Sequence, residues 1–227
     1  MGGQACILYG AAEFSRDLDL LILADANNLS NVMRALDALD AEVVAVPPLE
    51  ARHLLRGHAV HLRCRREDVA GLRIDLMSSL RGVAGFEELW ARRTTIEVGG
   101  ELIDLLAMED LVRAKKTQRD KDWPMIRRLV EQSYFRHSAS ATQELVRFWL
   151  RELRTPELLV EMARAHPELA LAEAVLRPAV QAALSSSLED VSEALHAEER
   201  EERRKDREYW APLKLELEKF RLSRRKQ

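Results

Sequence analysis

Aromatic residues are scarce in this chain: phenylalanine, tryptophan and tyrosine together make up 5% of its 227 residues. A core with so few rings must consist mostly of leucine, valine, isoleucine and alanine, which favours helix over an all-β sandwich. The two cysteines, Cys6 and Cys64, have neither the spacing of a metal site nor the number needed for a disulfide framework. The sequence therefore predicts a reduced and largely helical protein.

The chain also lacks long apolar runs and an excess of positive charge. No stretch approaches the roughly 20 apolar residues that a membrane-spanning helix needs. The N-terminus has no basic segment followed by an apolar one, so we expect no membrane association, no signal peptide and a cytoplasmic location. A formal net charge of −3 excludes a globally basic nucleic-acid binder and leaves only a local patch for such contacts.

Strand signals are confined to the first part of the chain, and helical signals dominate the rest. Apolar alternation predicts strands over residues 17–23, 42–46, 59–65 and 71–77, and the pair Gly99-Gly100 predicts a hairpin between 94–98 and 101–105. Apolar periodicity predicts later helices at about 109–119, 123–132, 141–153, 157–165, 168–184 and 188–222, with a serine-rich linker over 133–140. The predicted fold class is α+β: a small mixed β-sheet domain flanked by helices (1–133), followed by an all-helical C-terminal domain (134–227).

Three aspartates occupy comparable positions in two of the predicted strands. Asp17 and Asp19 are two residues apart, so their side chains project to one face while the alternate leucines face the core. Adjacent carboxylates repel one another unless a cation lies between them, and their hard oxygen atoms suit Mg²⁺. Asp75 lies on the polar face of the strand at 71–77. If the two strands are neighbours, three carboxylates converge and two Mg²⁺ ions can bind.

Glycines at the start of the chain suggest a phosphate site. Gly2 and Gly3 precede a short apolar helix, and their lack of side chains lets the backbone approach a phosphate group closely. The first turn of that helix would present free N–H groups. Gln4 and Ser15 could add hydrogen-bond donors to phosphate oxygens.

The order of these residues resembles a known signature. Gly-Gly-x-Ala at residues 2–5, then Gly10, then Ser-x-Asp-x-Asp at residues 15–19 resemble the nucleotidyltransferase superfamily related to DNA polymerase beta. A second group resembles a helix of the branch that includes AbiEii-type toxin and lincosamide-type antibiotic nucleotidyltransferases; it comprises Glu109-Asp110-Leu111, Lys115, Arg119 and Lys121-Asp122. The resemblance covers residues 2 to about 130.

The resemblance implies a role for each matching residue. Asp17 and Asp19 would ligate metal, and Asp75 would ligate the catalytic metal and orient or deprotonate the acceptor. Nucleotide-binding roles are implied for Gly2, Gly3, Gln4, Ser15 and Lys115. Members of this family usually have a strand before the double glycine, whereas here Gly2 follows Met1 directly. We therefore expect either that translation starts upstream or that the sheet lacks this strand.

The implied activity is Mg²⁺-dependent transfer of a nucleoside monophosphate from a nucleoside triphosphate to a hydroxyl group, with release of pyrophosphate. Two classes of acceptor are compatible with this activity: tRNA and a small hydroxyl compound. The acidic net charge argues against RNA, and a basic tail, comprising Arg221, Arg224, Arg225 and Lys226, argues for it. The alternative is a catalytically silent protein of the same fold, acting as a binding module or as a toxin–antitoxin component with an antitoxin protein as partner.

Two groups of residues have a second interpretation. Lys115 and Arg119 share a helix face and could form an ordinary charged surface, with Glu109 and Asp122 as ion-pair partners. Three histidines, His53, His58 and His61, lie close together in sequence but lack the spacing of metal ligands. We therefore expect these histidines at the surface or in a hairpin.

Overall fold

The computed structural model describes residues 1–224; Arg225 and Lys226 of the predicted basic tail lie outside this range. The protein is a mixed α+β molecule with 59% helix and small sheets, which confirms the predicted class at this level. Among the described residues, no helix combines the length and the apolar character that crossing a membrane requires.

The chain divides into two compact units. The first comprises Met1–Leu8, Ala12–Ala114 and the chain from Glu208 onward, and the second comprises Tyr9–Ala11 and Lys115–Arg207. The predicted boundary between residues 133 and 134 falls inside a helix of the second unit. The final helix is continuous in sequence but contributes residues to both units.

The first unit contains a four-stranded sheet with the order β1-β4-β3-β2. Its strands are β1 (Asp17–Leu21), β2 (Ala41–Val43), β3 (Val60–Cys64) and β4 (Arg73–Met77). Strand β1 is parallel to β4, and β3 is antiparallel to both β4 and β2. The two strands predicted to carry the carboxylates are therefore neighbours, as a shared site requires.

Alternation along these strands gives the sheet one apolar face and one charged face. Leu18 of β1 pairs with Ile74 of β4, which pairs in turn with Leu62 of β3. These residues belong to or pack against a core cluster that also includes Leu36 and Leu54 from two helices of the same unit. The apolar face therefore anchors the sheet, and the residues between these positions project to the other face.

Five helices and a hairpin complete the first unit up to residue 114. The helices are α1 (Gly2–Leu8), α2 (Ala26–Ala38), α3 (Ala51–Arg56), α4 (Phe86–Ala91) and α5 (Met108–Ala114). The hairpin pairs β5 (Thr94–Val98) with β6 (Glu101–Leu105), as predicted, and both turn glycines have positive φ angles. Glycine suits this turn because it has no Cβ to clash in the left-handed region.

The second unit is helical within the residues described. Its helices are α6 (Asp122–His137), α7 (Gln143–Glu152), α8 (Pro156–Ala165), α9 (Pro167–Ala174), α10 (Pro178–Leu184) and the first part of α11 (Leu188–Arg224). The predicted linker over 133–140 is instead the end of α6 followed by a 3₁₀ turn (Ser138–Ser140). The linker prediction was wrong because Ser133 is buried, where its hydroxyl accepts a hydrogen bond from Trp149 Nε1 at 3.1 Å.

Glu173 provides a test of the packing of α9 on α7. Its side chain, 3% exposed, accepts hydrogen bonds from Arg151 at 2.6 and 2.8 Å and from Arg147 at 2.9 Å. The hydrogen bond from Arg151, together with Arg147, holds the pKa of Glu173 below its ordinary value despite burial. We expect Glu173→Gln to lower the free energy of unfolding by about 2 kcal/mol at neutral pH.

The loss should depend on pH in a defined direction. Because the folded-state pKa of Glu173 is lowered, its contribution is complete above the unfolded value of 4.5 and disappears as the pH falls below it. Urea unfolding of wild type and variant from pH 7 to pH 3 should therefore show a gap that narrows in acid. A gap of constant size would contradict a role for the carboxylate charge.

Candidate functional site

The pairing of β1 with β4 brings the predicted carboxylates to one face of the sheet. Asp19 lies directly opposite Asp75, and Asp17 lies opposite Arg73. Neighbouring strands are about 4.8 Å apart, so directly opposed residues project side by side. All four residues lie on the face opposite the Leu18–Ile74 pair, because they alternate with it along the strands.

Helix α1 brings the two glycines against this strand. A Cβ atom added to Gly2 would overlap the carboxylate of Asp19, and one added to Gly3 would overlap the hydroxyl of Ser15. Gly2 also has a φ angle of +70°, in the left-handed region that favours glycine. Both glycines are therefore required by close approach to residues of the motif, and Gly2 is required by its backbone conformation as well.

Hydrogen bonds fix the segment between the glycines and β1. The Gln4 side-chain amide donates to the carbonyl oxygen of Ser15 at 3.3 Å, and the Ser15 hydroxyl donates to the carbonyl oxygen of Asp17 at 3.1 Å. Gln4 and Ser15 thus hold the entry to the strand that carries both aspartates. The structure therefore brings Gly2, Gly3, Gln4 and Ser15 together with Asp17 and Asp19.

Asp75 is the most enclosed of the three aspartates. It is 6% exposed, and its carboxylate accepts hydrogen bonds from His61 Nδ1 at 2.7 Å and from Arg73 through Nε and Nη2, both at 3.0 Å. Burial would raise the pKa of Asp75, but the hydrogen bonds from His61 and Arg73 outweigh it and lower the pKa. Asp75 is therefore held as an ionised acceptor.

Arg73 was given no role by the sequence analysis, and His61 was expected at the surface or in a hairpin, but both contact Asp75. The sheet forms two charged rows across three strands: Asp19, Asp75 and His61 in one, and Asp17, Arg73 and Arg63 in the other. The signal for Arg73 was present, because it is two residues before Asp75 in a predicted strand. His61 could not be found in this way, because its partner depends on the pairing of β3 with β4.

Arg73 lies under the influence of all three carboxylates. Its hydrogen bonds to Asp75, together with the negative charges of Asp75, Asp17 and Asp19, raise its pKa above the ordinary arginine value against the effect of burial. The sequence analysis expected a cation near Asp17 and Asp19, because their carboxylates repel one another. In this structure, part of that positive charge comes from the guanidinium of Arg73.

Lys115 lies in the second unit, whereas the other predicted site residues lie in the first. It is 9% exposed, and its Nζ lies 3.5 Å from Asp122 Oδ1 at the start of α6. Arg119 and Thr117 donate to the other carboxylate oxygen of Asp122, at 2.7 and 2.6 Å. These contacts match the ion-pair interpretation of Lys115 and Arg119 with respect to Asp122.

The carboxylates fit magnesium in their chemistry. Mg²⁺ in proteins is usually held by one or two carboxylates together with water and substrate phosphate oxygens. Asp17 and Asp19 supply two carboxylates on one face, beside a glycine turn that leaves no room for a side chain. Within residues 1–224 no group of three histidine, cysteine, aspartate or glutamate residues is arranged to hold an ion. Asp17 and Asp19 alone could supply two carboxylate ligands, and the remaining ligands of an ion would have to come from water or substrate.

A separate cavity of about 340 Å³ lies in the second unit. Its lining includes Tyr134, Trp149, Glu161 and His166, and the Tyr134 hydroxyl donates to Glu161 at 2.8 Å. None of the residues predicted from the motif lines this cavity. The motif residues instead form a charged surface of the sheet in the first unit.

Comparison with known proteins returned no match: no protein-family model, no curated protein and no solved structure matches this chain. The resemblance to nucleotidyltransferases therefore rests on the motif residues themselves and their order in the sequence.

Proposed function

We propose that this protein is a magnesium-dependent nucleotidyltransferase whose active site is the charged face of β1 and β4. The observation that supports the proposal most directly is the direct opposition of Asp19 and Asp75, with Gly2 fitted against Asp19. Three motif segments, separate in sequence, thus meet at one surface. In this proposal the first unit carries the nucleotidyltransferase site, and the second unit is the helical domain.

Asp17 and Asp19 would hold the magnesium ion together with oxygens of the triphosphate. The ion supplies positive charge that neutralises the phosphate oxygens and the leaving pyrophosphate. Gly2 and Gly3 have no side chains, so a triphosphate could approach the backbone there closely. Gln4 keeps a second amide hydrogen for a phosphate oxygen, whereas the single hydroxyl hydrogen of Ser15 is already donated to Asp17.

Asp75 would orient the acceptor hydroxyl group. The acceptor oxygen forms a bond to the α-phosphorus, the bond from that phosphorus to the β-phosphate oxygen breaks, and pyrophosphate leaves. The lowered pKa of Asp75 makes its carboxylate a weak base. It is therefore better suited to accept a hydrogen bond from the acceptor hydroxyl than to retain the proton of that hydroxyl. The proton of the acceptor hydroxyl then passes to solvent. If a second Mg²⁺ ion takes part, Asp75 would be one of its ligands.

A second candidate function is a catalytically silent member of the same fold, acting as a binding module or as a toxin–antitoxin component. The bidentate contact of Arg73 with Asp75 favours it, because the carboxylate is neutralised without a metal ion. The acceptor also stays open, since neither tRNA nor a small hydroxyl compound is favoured by a contact in the structure.

Transfer from labelled nucleoside triphosphates tests the proposal. The protein is incubated with Mg²⁺ and each nucleotide, with total tRNA or a panel of small hydroxyl compounds as acceptors. We expect incorporation by wild type, and at least about a hundredfold less by Asp17→Asn, which removes a metal ligand. The matched control is Asp37→Asn, an exposed aspartate on α2 of the same unit, which should leave the rate unchanged.

Two outcomes would count against the enzyme. Transfer that Asp17→Asn leaves intact would reject the metal site. Absence of transfer by wild type to every acceptor with every nucleotide would favour the silent binding module.

A further inference from the structure

The cavity in the second unit lies where two helices end. Its lining includes Ser138 and Ala139, which directly follow α6, and Ala165 and His166, at the end of α8. Its volume is about 340 Å³. Sites for small organic ligands usually measure about 300–1,000 Å³, so this cavity is large enough for a small organic molecule.

Part of the lining is aromatic and held in a fixed orientation. The rings of Tyr134 on α6 and Trp149 on α7 meet edge to face, with centroids 5.3 Å apart. Both residues are buried, and Trp149 Nε1 donates a hydrogen bond to Ser133. Met162 adds a further apolar side chain. These groups suit the apolar body of a ligand, and the negative π faces of aromatic rings also attract a cation.

Glu161 brings a negative charge to this lining. The Tyr134 hydroxyl donates to Glu161 Oε1 at 2.8 Å, and the other oxygen, Oε2, has no hydrogen-bond partner within residues 1–224. Burial and the contact with Glu161 raise the pKa of Tyr134 to about 12, so its hydroxyl remains a donor at neutral pH. Tyr134 therefore orients the carboxylate and leaves Oε2 able to accept a hydrogen bond from a ligand.

The helix ends favour positive charge as well. The C-terminus of a helix carries a partial negative charge, and residues at the end of α8 line the cavity. Three basic residues occupy the last turns of α6 and α8, namely Arg136, His137 and Arg164, but none of them lines the cavity. Arg164 donates instead to Ser186. Within the described part of the chain, the lining contains no lysine or arginine that would repel a cation.

We propose that this cavity binds a small organic molecule in which a protonated primary amine is attached to an apolar body. The ammonium group donates to Glu161 Oε2, and the body packs against the rings of Tyr134 and Trp149. One carboxylate is too few ligands for a metal ion, and its charge disfavours an anion. The site shares no residue with the charged face of β1 and β4, so the inference does not rest on the proposed function.

Titration with benzylamine tests the proposal by nuclear magnetic resonance. Benzylamine is positively charged at neutral pH, and benzyl alcohol is a neutral molecule of nearly the same size. We expect benzylamine to shift the indole N–H signal of Trp149 in a saturable manner, and to leave those of Trp90 and Trp210, in the first unit, unchanged. Benzyl alcohol should bind at least about tenfold more weakly, because a charged hydrogen bond is stronger than a neutral one.

Glu161→Gln shows whether the carboxylate carries the affinity. The variant keeps an acceptor for the Tyr134 hydroxyl but loses the charge, so benzylamine should bind it at least about tenfold more weakly than wild type. The affinity for benzyl alcohol should change by less than about twofold, since that ligand has no charge. Because Glu161 is exposed, the variant should fold, and thermal unfolding checks this.

Glu157→Gln is the matched control. It removes the same charge from an exposed position one turn earlier on α8, outside the cavity lining. The affinity for benzylamine should change by less than about threefold, because solvent screens this more distant charge.

A quaternary amine tests the need for N–H donors. Benzyltrimethylammonium keeps the positive charge but cannot donate a hydrogen bond, so it should bind more weakly than benzylamine. Tighter binding of the quaternary ion would overturn the assignment to a primary amine.

Three other results would overturn the site itself. They are the absence of a saturable shift of the Trp149 signal up to the solubility limit of benzylamine, equal affinity for benzylamine and benzyl alcohol, and wild-type affinity in Glu161→Gln. None of these measurements uses a nucleotide, so they do not depend on whether the protein transfers nucleotidyl groups.

Discussion

Gly2→Ala is expected to weaken Mn²⁺ binding by about tenfold and to abolish most nucleotidyl transfer. The added Cβ would overlap the Asp19 carboxylate, so either α1 or Asp19 must move. In the proposed function Asp19 is a metal ligand, and a shift by the size of a methyl group would remove it from the ion. A tenfold change in affinity corresponds to about 1.4 kcal/mol of lost binding energy. Titration of Mn²⁺ and the transfer assay measure the two effects.

Strain at positive φ has to be separated from this overlap. Gly71→Ala is the matched control, because Gly71 also has a positive φ, of +86°, but has nothing within 4 Å of an added Cβ. Both variants should lose about 1 kcal/mol of stability from the backbone conformation alone. Only Gly2→Ala should lose ion binding as well. Equal ion affinity in the two variants would show that the close approach of Gly2 to Asp19 is unimportant.

Arg177→Met is expected to destabilise the second unit by about 3 kcal/mol, the effect of removing one partner from a buried polar network. Arg177 is 6% exposed and donates to the carbonyl oxygens of Leu150 and Leu153, at 2.7 and 2.8 Å, and to Glu198 at 2.9 Å. It thereby satisfies carbonyl groups at the end of α7 that have no partner within that helix. Urea unfolding measures the loss.

Two further variants are compared with Arg177→Met: a lysine at the same position, and a methionine in place of an exposed arginine elsewhere in the unit. Arg177→Lys keeps the charge but cannot reach three acceptors with one ammonium group, so it should recover only part of the stability. Arg200→Met, at an exposed position on α11 within the same unit, should change it by less than about 0.5 kcal/mol. A loss in Arg177→Met no greater than in Arg200→Met would mean that the end of α7 does not depend on this guanidinium.

Local patterns predicted those parts of the fold that local chemistry determines. The hairpin of β5 and β6 has the predicted bounds, because paired glycines and flanking alternation act within a few residues. Helix α3, with six residues, is too short to show apolar periodicity and was not predicted. The helix predicted over 168–184 is two helices, because Pro178 lacks the N–H that a continuous helix needs and begins α10 instead.

The candidate site was predictable only up to the pairing of its strands. That Asp17 and Asp19 share a face follows from the period of a strand. That Asp75 joins them depends on which strands are neighbours, and no local pattern determines this. The same pairing brought His61 to Asp75, and helix α1 brought Gly2 to Asp19. These contacts join segments that are distant in sequence, so they could not be predicted until the pairing of the strands was known.

The crowding of carboxylates on one face of the sheet has a consequence for protein engineering. Like charges on adjacent strands oppose folding, and the contacts of Arg73 and His61 offset this repulsion by hydrogen bonds at Asp75. Neutral residues at these positions would suit the sheet better, as is common where function and stability are in conflict. A search for stabilised variants would therefore tend to select the loss of this surface first, so thermostability screens of this protein need a functional readout beside them.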